Sequence, residues 1–383
     1  MEVFLVGGAV RDELLDLPVN ERDWVVVGSN PEEMLKQGFK PVGKDFPVFL
    51  HPKNKEEFAL ARTERKSGKG YYGFEIFASP DVTLEEDLLR RDLTINAMAK
   101  SPAGEIIDPY GGQQDIDKKV LRHVSKAFTE DPLRVLRAAR FAAKLNSQGF
   151  KIADETLELM RAITASGELK LLATERIWQE TKSALSTNHP ESFFSILEDI
   201  NALEQSHTAI SNAFSNEKLY GLEALALMSK QNKDPCMRFA AMLGGLYYQS
   251  QEIGEKETDE LASQLPLPNE CKDLIKLTVT LQQRCHNVFN LDSKQFLNLL
   301  HKLDVRRKPE RFNALLSIFA VTHQVSTGKQ AYPQANWIKR ASKEIEHVDI
   351  GKWVKEGLTN RELADNLQHA QLEILELMIK QNN

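Results

Sequence analysis

The sequence predicts an α+β domain with a small β-sheet, followed by an all-α remainder. Two observations carry this expectation. Over the first part of the chain short β-rich runs alternate with short helical patterns, and near Asp131 the character changes, so that nearly everything beyond has helical periodicity. At 383 residues the chain exceeds one ordinary domain and can bury more than one core. It shows no internal repeat and no low-complexity segment.

Taken in order, residues 3–6 form an apolar run that stops at Gly7-Gly8, and further strands are predicted at 24–27, 46–50, 57–61 and 74–77. Thr83 followed by Glu86 is a capping box opening a helix through Arg90. Asp108-Pro109-Tyr110-Gly111-Gly112 is a turn before a last strand-like run at 120–124. Asp131 caps a helix with Pro132 at its first position. Helices follow at 155–163, 175–185, 193–203, 222–228, 237–248, 295–303, 311–320 and 361–380. The polar or proline-containing stretches 187–190, 251–268 and 326–334 are the expected joints.

Hydrophobic content of 42% and charged content of 27% are those of an ordinary soluble protein, and no apolar run reaches the length of a membrane span. The opening Met1-Glu2-Val3-Phe4 lacks the regions of a signal peptide, so a cytoplasmic protein is expected. Cys236, Cys271 and Cys285 are odd in number and widely spaced, which disfavours a disulfide framework or a zinc site and predicts buried or half-buried thiols. The net charge of −6 argues mildly against a nucleic-acid partner. Yet between 122 and 151 Arg122, Lys126, Arg134, Arg137, Arg140, Lys144 and Lys151 face only Glu130 and Asp131, a basic strip compatible with RNA binding.

The chemistry concentrates near the start. A strand ending in Gly7-Gly8 can bare backbone N–H groups toward phosphate oxygens, and Arg11 adds a forked cation just inside the following helix. Ten residues on, Glu21 and Asp23 alternate across Arg22 and run into a strand, which places both carboxylates on one face. Alone, the first motif is equally a plain strand-to-helix turn, and the second a polar rim on an edge strand. Together, a phosphate cradle followed closely by paired carboxylates is what two-metal phosphoryl chemistry requires, with Mg2+ bridging protein and triphosphate. Of the adjacent Arg90 and Arg91, one is expected to face the site. Residues 62–70 read as a polar, glycine-punctuated loop between two strands, a hairpin tip able to close over a nucleotide.

On the helix opening at Asp131, steps of three place Asp131, Arg134 and Arg137 within about a third of the circumference. Suppose Asp131 and Arg134 meet a nucleobase edge. Asp accepts from an exocyclic amine and Arg donates to a ring nitrogen, an order matched by cytosine and adenine. Guanine and uracil present a carbonyl beside an N–H and would leave desolvated groups unpaired.

These residues carry a family resemblance. Gly-Gly-Ala-Val-Arg-Asp from Gly7, Glu-Arg-Asp-Trp from Glu21, Arg-Arg-Asp-Leu-Thr-Ile-Asn-Ala from Arg90, Asp-Pro-Tyr-Gly-Gly from Asp108 and Glu-Asp-Pro-Leu-Arg from Glu130 occur in the order of bacterial class II tRNA nucleotidyltransferases. These CCA-adding enzymes belong to the DNA polymerase β superfamily. The chain resembles them closely through about Leu185 and more loosely beyond. The resemblance implies a polymerase-β-like head (1–140, ending in the nucleotide-templating helix), then a helical neck (141–205), body (206–290) and tail (291–383). It implies metal ligation by Glu21 and Asp23, triphosphate or sugar contacts from Gly8, Arg11 and Arg91, and templating of C and A by Asp131 and Arg134 with Arg137 and Arg140 nearby. Its partners are then CTP, ATP and tRNA gripped through shape and backbone contacts, with no membrane and no obligate protein partner.

Two departures stand out. The family's first metal-binding residue is usually Asp, and here it is Glu21. Close relatives also carry a His-Asp pair for metal-dependent phosphohydrolase activity in the body. Here the run Asp234-Pro235-Cys236-Met237-Arg238-Phe239-Ala240-Ala241-Met242 leads instead to Gly244-Gly245, so that second activity is expected to be absent. Glu57 is a candidate third acidic group at the metal site. The rival readings are a poly(A) polymerase or a partial CC- or A-adding enzyme, and, from another class, a non-catalytic RNA-binding protein with a decayed site.

Overall fold

The computed structural model describes residues 1–42, 48–66, 74–355 and 357–382. It comprises two compact units, Met1–Ser206 and His207–Asn383.

The first unit opens with β1 (Glu2–Val6), β2 (Asp23–Val27), β3 (Lys40–Val42), β4 (Val48–Leu50), β5 (Glu57–Leu60), β6 (Arg62–Lys66), β7 (Phe74–Ala78), β8 (Ala99–Lys100) and β9 (Ile106–Ile107). Seven of these form one mixed sheet in the order β3-β4-β5-β2-β1-β8-β9, while β6 and β7 pair as a separate antiparallel hairpin. Successive residues of a strand face opposite sides, and the cores show it. Phe4, Val6 and Val25 join Leu84 and Leu88 in one buried cluster, whereas Val26, Phe58 and Leu60 join Met34, Phe39 and Phe49 in another.

Register matters most for function. Because β1 is antiparallel to β2 and β2 is parallel to β5, Val6 lies opposite Asp23 and Asp23 opposite Glu57. The end of β1, where the chain turns at Gly7, is thereby brought level with the start of two neighbouring strands.

The helices of this unit are α1 (Gly8–Leu14), α2 (Pro31–Lys36), α3 (Leu84–Leu89), α4 (Gly112–Lys118), α5 (Leu133–Leu145), α6 (Asp154–Ser166), α7 (Thr174–Leu185), α8 (Pro190–Asp199) and α9 (Leu203–Ser206). The predicted capping box of α3 is present in full: Glu86 N–H donates to Thr83 Oγ1 and Thr83 N–H to Glu86 Oε2. Asp131 Oδ1 accepts from Leu133 N–H at the start of α5. Val135, Leu136, Ala139, Ala143 and Leu145 of α5 are fully buried, and the helix packs on α7 and α8. A short parallel ladder joins β10 (Val120–Leu121) to β11 (Lys151–Ile152).

The second unit is all helical among the described residues: α10 (Thr208–Gln231), α11 (Pro235–Leu246), α12 (Gln251–Gln264), α13 (Asn269–His286), α14 (Ser293–Leu303), α15 (Pro309–Thr327), α16 (Pro333–Glu346), α17 (Gly351–Lys355) and α18 (Asn360–Asn382). α11 is buried continuously from Met237 to Leu246 and packs on α10, α13 and α15. Among the described residues no helix is long and apolar enough to cross a membrane. All three cysteines are free thiols, Cys271 and Cys285 buried and Cys236 half-buried.

Four local expectations are corrected. β2 begins at Asp23, so Glu21 belongs to the irregular segment before it and not to the strand. Residues 62–66 are strand, because pairing with β7 satisfies backbone groups whose polar side chains signalled a loop; 67–70 lie outside the described residues, as do 46–47 of the run expected at 46–50. The run expected at 120–124 is strand only over Val120–Leu121. The joint expected at 251–268 is largely the helix α12, which the buried Thr258 and Leu261 tie down; a Cβ at Gly254 would come within 2.6 Å of Tyr247 Cγ. Tertiary packing there overrides a polar composition.

Candidate active site

The turn between β1 and α1 is possible only with glycine. Gly7 has φ +70°, and a Cβ there would approach Arg91 Nη1 to 2.8 Å. Its N–H donates to Met98 O at 3.2 Å. Around this turn opens a cavity of about 990 Å³. Gly8, Arg11, Glu21, Asp23, Arg91, Asp131, Arg134, Arg137 and Arg140 all line it, so the candidate site residues all reach one space. Among the described residues nine basic and six acidic side chains form its wall, a local excess of positive charge in a chain whose net charge is −6. A polyanion is attracted here and not to the surface at large.

The carboxylates gather at the end of the sheet where β2 and β5 begin. Asp23 is open to the cavity, but the surrounding walls raise its pKa above the ordinary value; Arg91 opposes the rise and the like charge of Glu21 adds to it. Glu57 lines the same cavity beside Asp23. Among the described residues no group of three or more ligating side chains is preassembled. A pair of hard-oxygen ligands suits Mg2+, which keeps waters and takes its remaining ligands from substrate phosphates.

Opposite the carboxylates, the cations are held by a set of buried acids. Arg11 is 2% exposed, bonded to Asp12 Oδ1 through Nε and Nη2 and to Asn96 Oδ1 through Nη1. Burial lowers its pKa, and Asp12 opposes that shift. Asp12 also takes Lys144 Nζ at 2.9 Å, linking α1 to α5. Asp87 anchors both neighbouring arginines, Arg90 at 2.9 Å and Arg91 at 3.1 Å, and both line the cavity. Nε of Arg91 is buried and makes no hydrogen bond with the described residues, a donor suited to an anionic oxygen.

Deeper in the wall, burial alone would raise the Asp92 carboxyl. Instead Arg137, at 2.7 Å, and hydrogen bonds from Asn96 and the Leu93 N–H hold it far below the usual range. The same pair raises the pKa of Arg137. Arg140 Nε donates to Glu180 Oε2 at 2.5 Å, Arg134 Nη2 donates to Arg90 O at 2.5 Å, and Asp131 pairs with Arg176.

Asp12, Asp87, Lys144, Arg176 and Glu180 were not identified from the sequence as parts of the site. Asp12 closes the first motif and Asp87 lies just before the third, but nothing in the local sequence of α7 says that Arg176 and Glu180 turn back toward α5.

A Gly-Gly turn level with carboxylates at the starts of two adjoining strands, walled by anchored arginines, is the architecture of a polymerase-β-like nucleotidyltransferase. Comparison with known proteins narrows the class. Residues 3–122 match the family described as "Poly A polymerase head domain" and 149–212 that described as "Probable RNA and SrmB- binding site of polymerase A". The chain is 48% identical over 377 residues to the "CCA-adding enzyme" of Pseudomonas putida, covering 98% of this chain and 99% of the relative. It is 43% identical over 401 residues to the "Multifunctional CCA protein" of Psychromonas ingrahamii, covering 98% of each. The chain belongs to the CCA-adding enzyme family of nucleotidyltransferases. Its fold is shared with the Thermotoga maritima CCA-adding enzyme complexed with tRNA (TM-score 0.68, 21% identity, 98% of this chain and 87% of that one). It is shared likewise with the Bacillus stearothermophilus CCA-adding enzyme in complex with CTP (TM-score 0.65, 22% identity, 97% and 88%).

Proposed function

We propose that this protein adds and repairs the 3′-terminal CCA of tRNA from CTP and ATP without a nucleic-acid template, releasing pyrophosphate. The observation that carries the reading is the convergence, in one cationic cavity, of residues from four sequence motifs otherwise far apart, those beginning at Gly7, Glu21, Arg90 and Glu130. The terminal 3′-hydroxyl of tRNA attacks the α-phosphorus in line. A new O–P bond forms as the bond to the β-phosphate oxygen breaks, the hydroxyl proton goes to solvent, and no covalent enzyme intermediate is involved.

Glu21 and Asp23 are the metal ligands in this reading, with Glu57 beside them as a third acidic group. Mg2+ held there supplies the charge that acidifies the hydroxyl and neutralises the leaving pyrophosphate. Gly8, Arg11 and Arg91 hold the triphosphate and sugar. Asp131 and Arg134 present an acceptor and a donor to the base edge shared by C and A, with Arg137 and Arg140 alongside. The division into head, neck, body and tail at 140, 205 and 290 belongs to the same proposal, the helical parts gripping the tRNA. So does a cytoplasmic location, where tRNA and nucleoside triphosphates are at hand.

The test is to incubate the purified protein with tRNA ending at its discriminator base and each labelled NTP, then read the 3′ ends. CCA termini are expected; homopolymeric A tails, or arrest after CC, would replace this reading with that of a poly(A) polymerase or a partial enzyme.

A further inference from the structure

Three guanidinium groups converge on one aromatic ring. The central carbons of Arg140, Arg11 and Arg137 lie 4.3, 5.1 and 5.8 Å from the centroid of Phe141. Phe141 is 6% exposed and lines the cavity. Arg137 and Phe141 are four residues apart on α5 and so share a face, while Arg11 comes from α1. Asp12 pairs with Arg11 and Asp92 with Arg137, while Glu180 pairs with Arg140 and also reaches Arg137 at 3.7 Å.

The acids alone do not explain the gathering of all three, because Glu180 spans only Arg137 and Arg140, Arg11 is bonded to Asp12, and the cations repel one another. Arg140 is among the groups that lower the pKa of Arg11. What the three share is the ring. The negative face of an aromatic attracts a desolvated guanidinium and is indifferent to which helix supplies it, whereas an aliphatic side chain of similar volume fills space without that attraction.

We propose that Phe141 is a positioning residue for nucleotide transfer: its ring holds Arg11, Arg137 and Arg140 together as a preassembled cationic wall against which the incoming nucleotide docks. This rests on the reading that these arginines contact the nucleotide. Phe141 itself touches no reacting atom. It removes from the binding step the work of collecting three like charges, so its loss weakens binding of CTP and ATP alike and leaves base preference intact.

The test uses the full-length protein, assayed by single-nucleotide incorporation on tRNA ending at its discriminator base (CTP) and after CC (ATP), with thermal unfolding measured in parallel. Phe141→Leu is expected to raise KM for both nucleotides by roughly tenfold, with kcat within about threefold of the parent. Phe141→Trp, which restores an aromatic face, should bring KM back toward the parent even if it unfolds at a lower temperature than Phe141→Leu. If KM in Phe141→Leu stays within twofold of the parent at a temperature where it is folded, or if Leu and Trp behave alike, the ring is only packing and the proposal fails. Arg11→Ala is the companion control. An unchanged KM there would overturn the arginine reading itself, whereas a raised KM beside an unaffected Phe141→Leu overturns the Phe141 proposal alone.

Discussion

Asp131 and Arg176 are joined at two points, Oδ2 to Nη2 at 2.7 Å and Oδ1 to Nη1 at 3.3 Å, tying the residue that precedes α5 to α7. A planar fork on a carboxylate fixes orientation as well as charge. The acid proposed to read an exocyclic amine is therefore aimed before any nucleotide arrives. Asp131→Ala and Arg134→Ala should each relax the preference for C and A over G and U more than they weaken triphosphate binding. Arg176→Ala should do the same more mildly, and Arg176→Lys, which keeps the charge but loses the fork, should fall between. Incorporation measured with all four NTPs decides it; unchanged preference in all these variants would place the template elsewhere.

Asp23→Ala should abolish incorporation of CMP and AMP together, since in the proposed reading both depend on one metal site, whose loss would remove several kcal/mol of transition-state stabilisation, on the order of 10³-fold or more. Glu21→Ala should lose activity and Glu21→Asp retain it, because a carboxylate one methylene shorter preserves the ligand type. Circular dichroism checks folding, and ordinary turnover by a folded Asp23→Ala variant would sink the metal assignment.

The absence of phosphohydrolase activity is a prediction that turns on the closely packed glycines of α11. A Cβ at Gly245 would meet Tyr220 O at 2.5 Å, and one at Gly244 would meet Thr278 Cγ2 at 2.9 Å. Close helix approach occupies the space in which side chains of a His-Asp pair would stand. Gly245→Ala should cost about 1–3 kcal/mol by overpacking. The double change Gly244→His, Gly245→Asp should lower the melting temperature further and confer no metal-dependent hydrolysis of 2′,3′-cyclic phosphates. Robust hydrolysis by the unaltered protein that survives Asp23→Ala would contradict the absence of a second site.

Stability should fall with mild acid through two buried histidines. Burial lowers His207 to about 4 and His286 to about 3, the latter also pressed by His323. Below the unfolded value near 6.5 the unfolded chain takes up protons that these folded side chains refuse, so stability present above that pH is lost as pH falls toward their folded values. The loss between pH 6.5 and 5 should be about 2 kcal/mol per group. Urea midpoints across that window check it, and His286→Gln should flatten the slope by about half. A midpoint independent of pH from 7 to 5 would show that the histidines are not held neutral.

Much of the site was legible in the chain because its parts are local. The Gly7-Gly8 turn, the capping box at Thr83 and the bond from Leu133 N–H to Asp131 Oδ1 each join residues only a few positions apart, where backbone geometry and hydrogen bonding act directly. Local reading failed where partners come from afar. Residues 62–66 read as loop until β7 paired with them, and the polar 251–264 read as joint until packing against Tyr247 made it a helix.

By itself, the sequence determined the family and nominated the residues proposed to carry its chemistry, since residue type and short spacing decide which groups can hold a metal, a phosphate or a base edge. Only the tertiary structure decided how those groups are held. The register that sets Asp23 level with Gly7 and Glu57, the acids Asp92 and Glu180 that anchor the arginines, the clasp of Arg176 on Asp131 and the gathering of three cations at Phe141 join residues up to well over a hundred positions apart. Such contacts arise from packing of the sheet and helices, and no local preference of the chain encodes them.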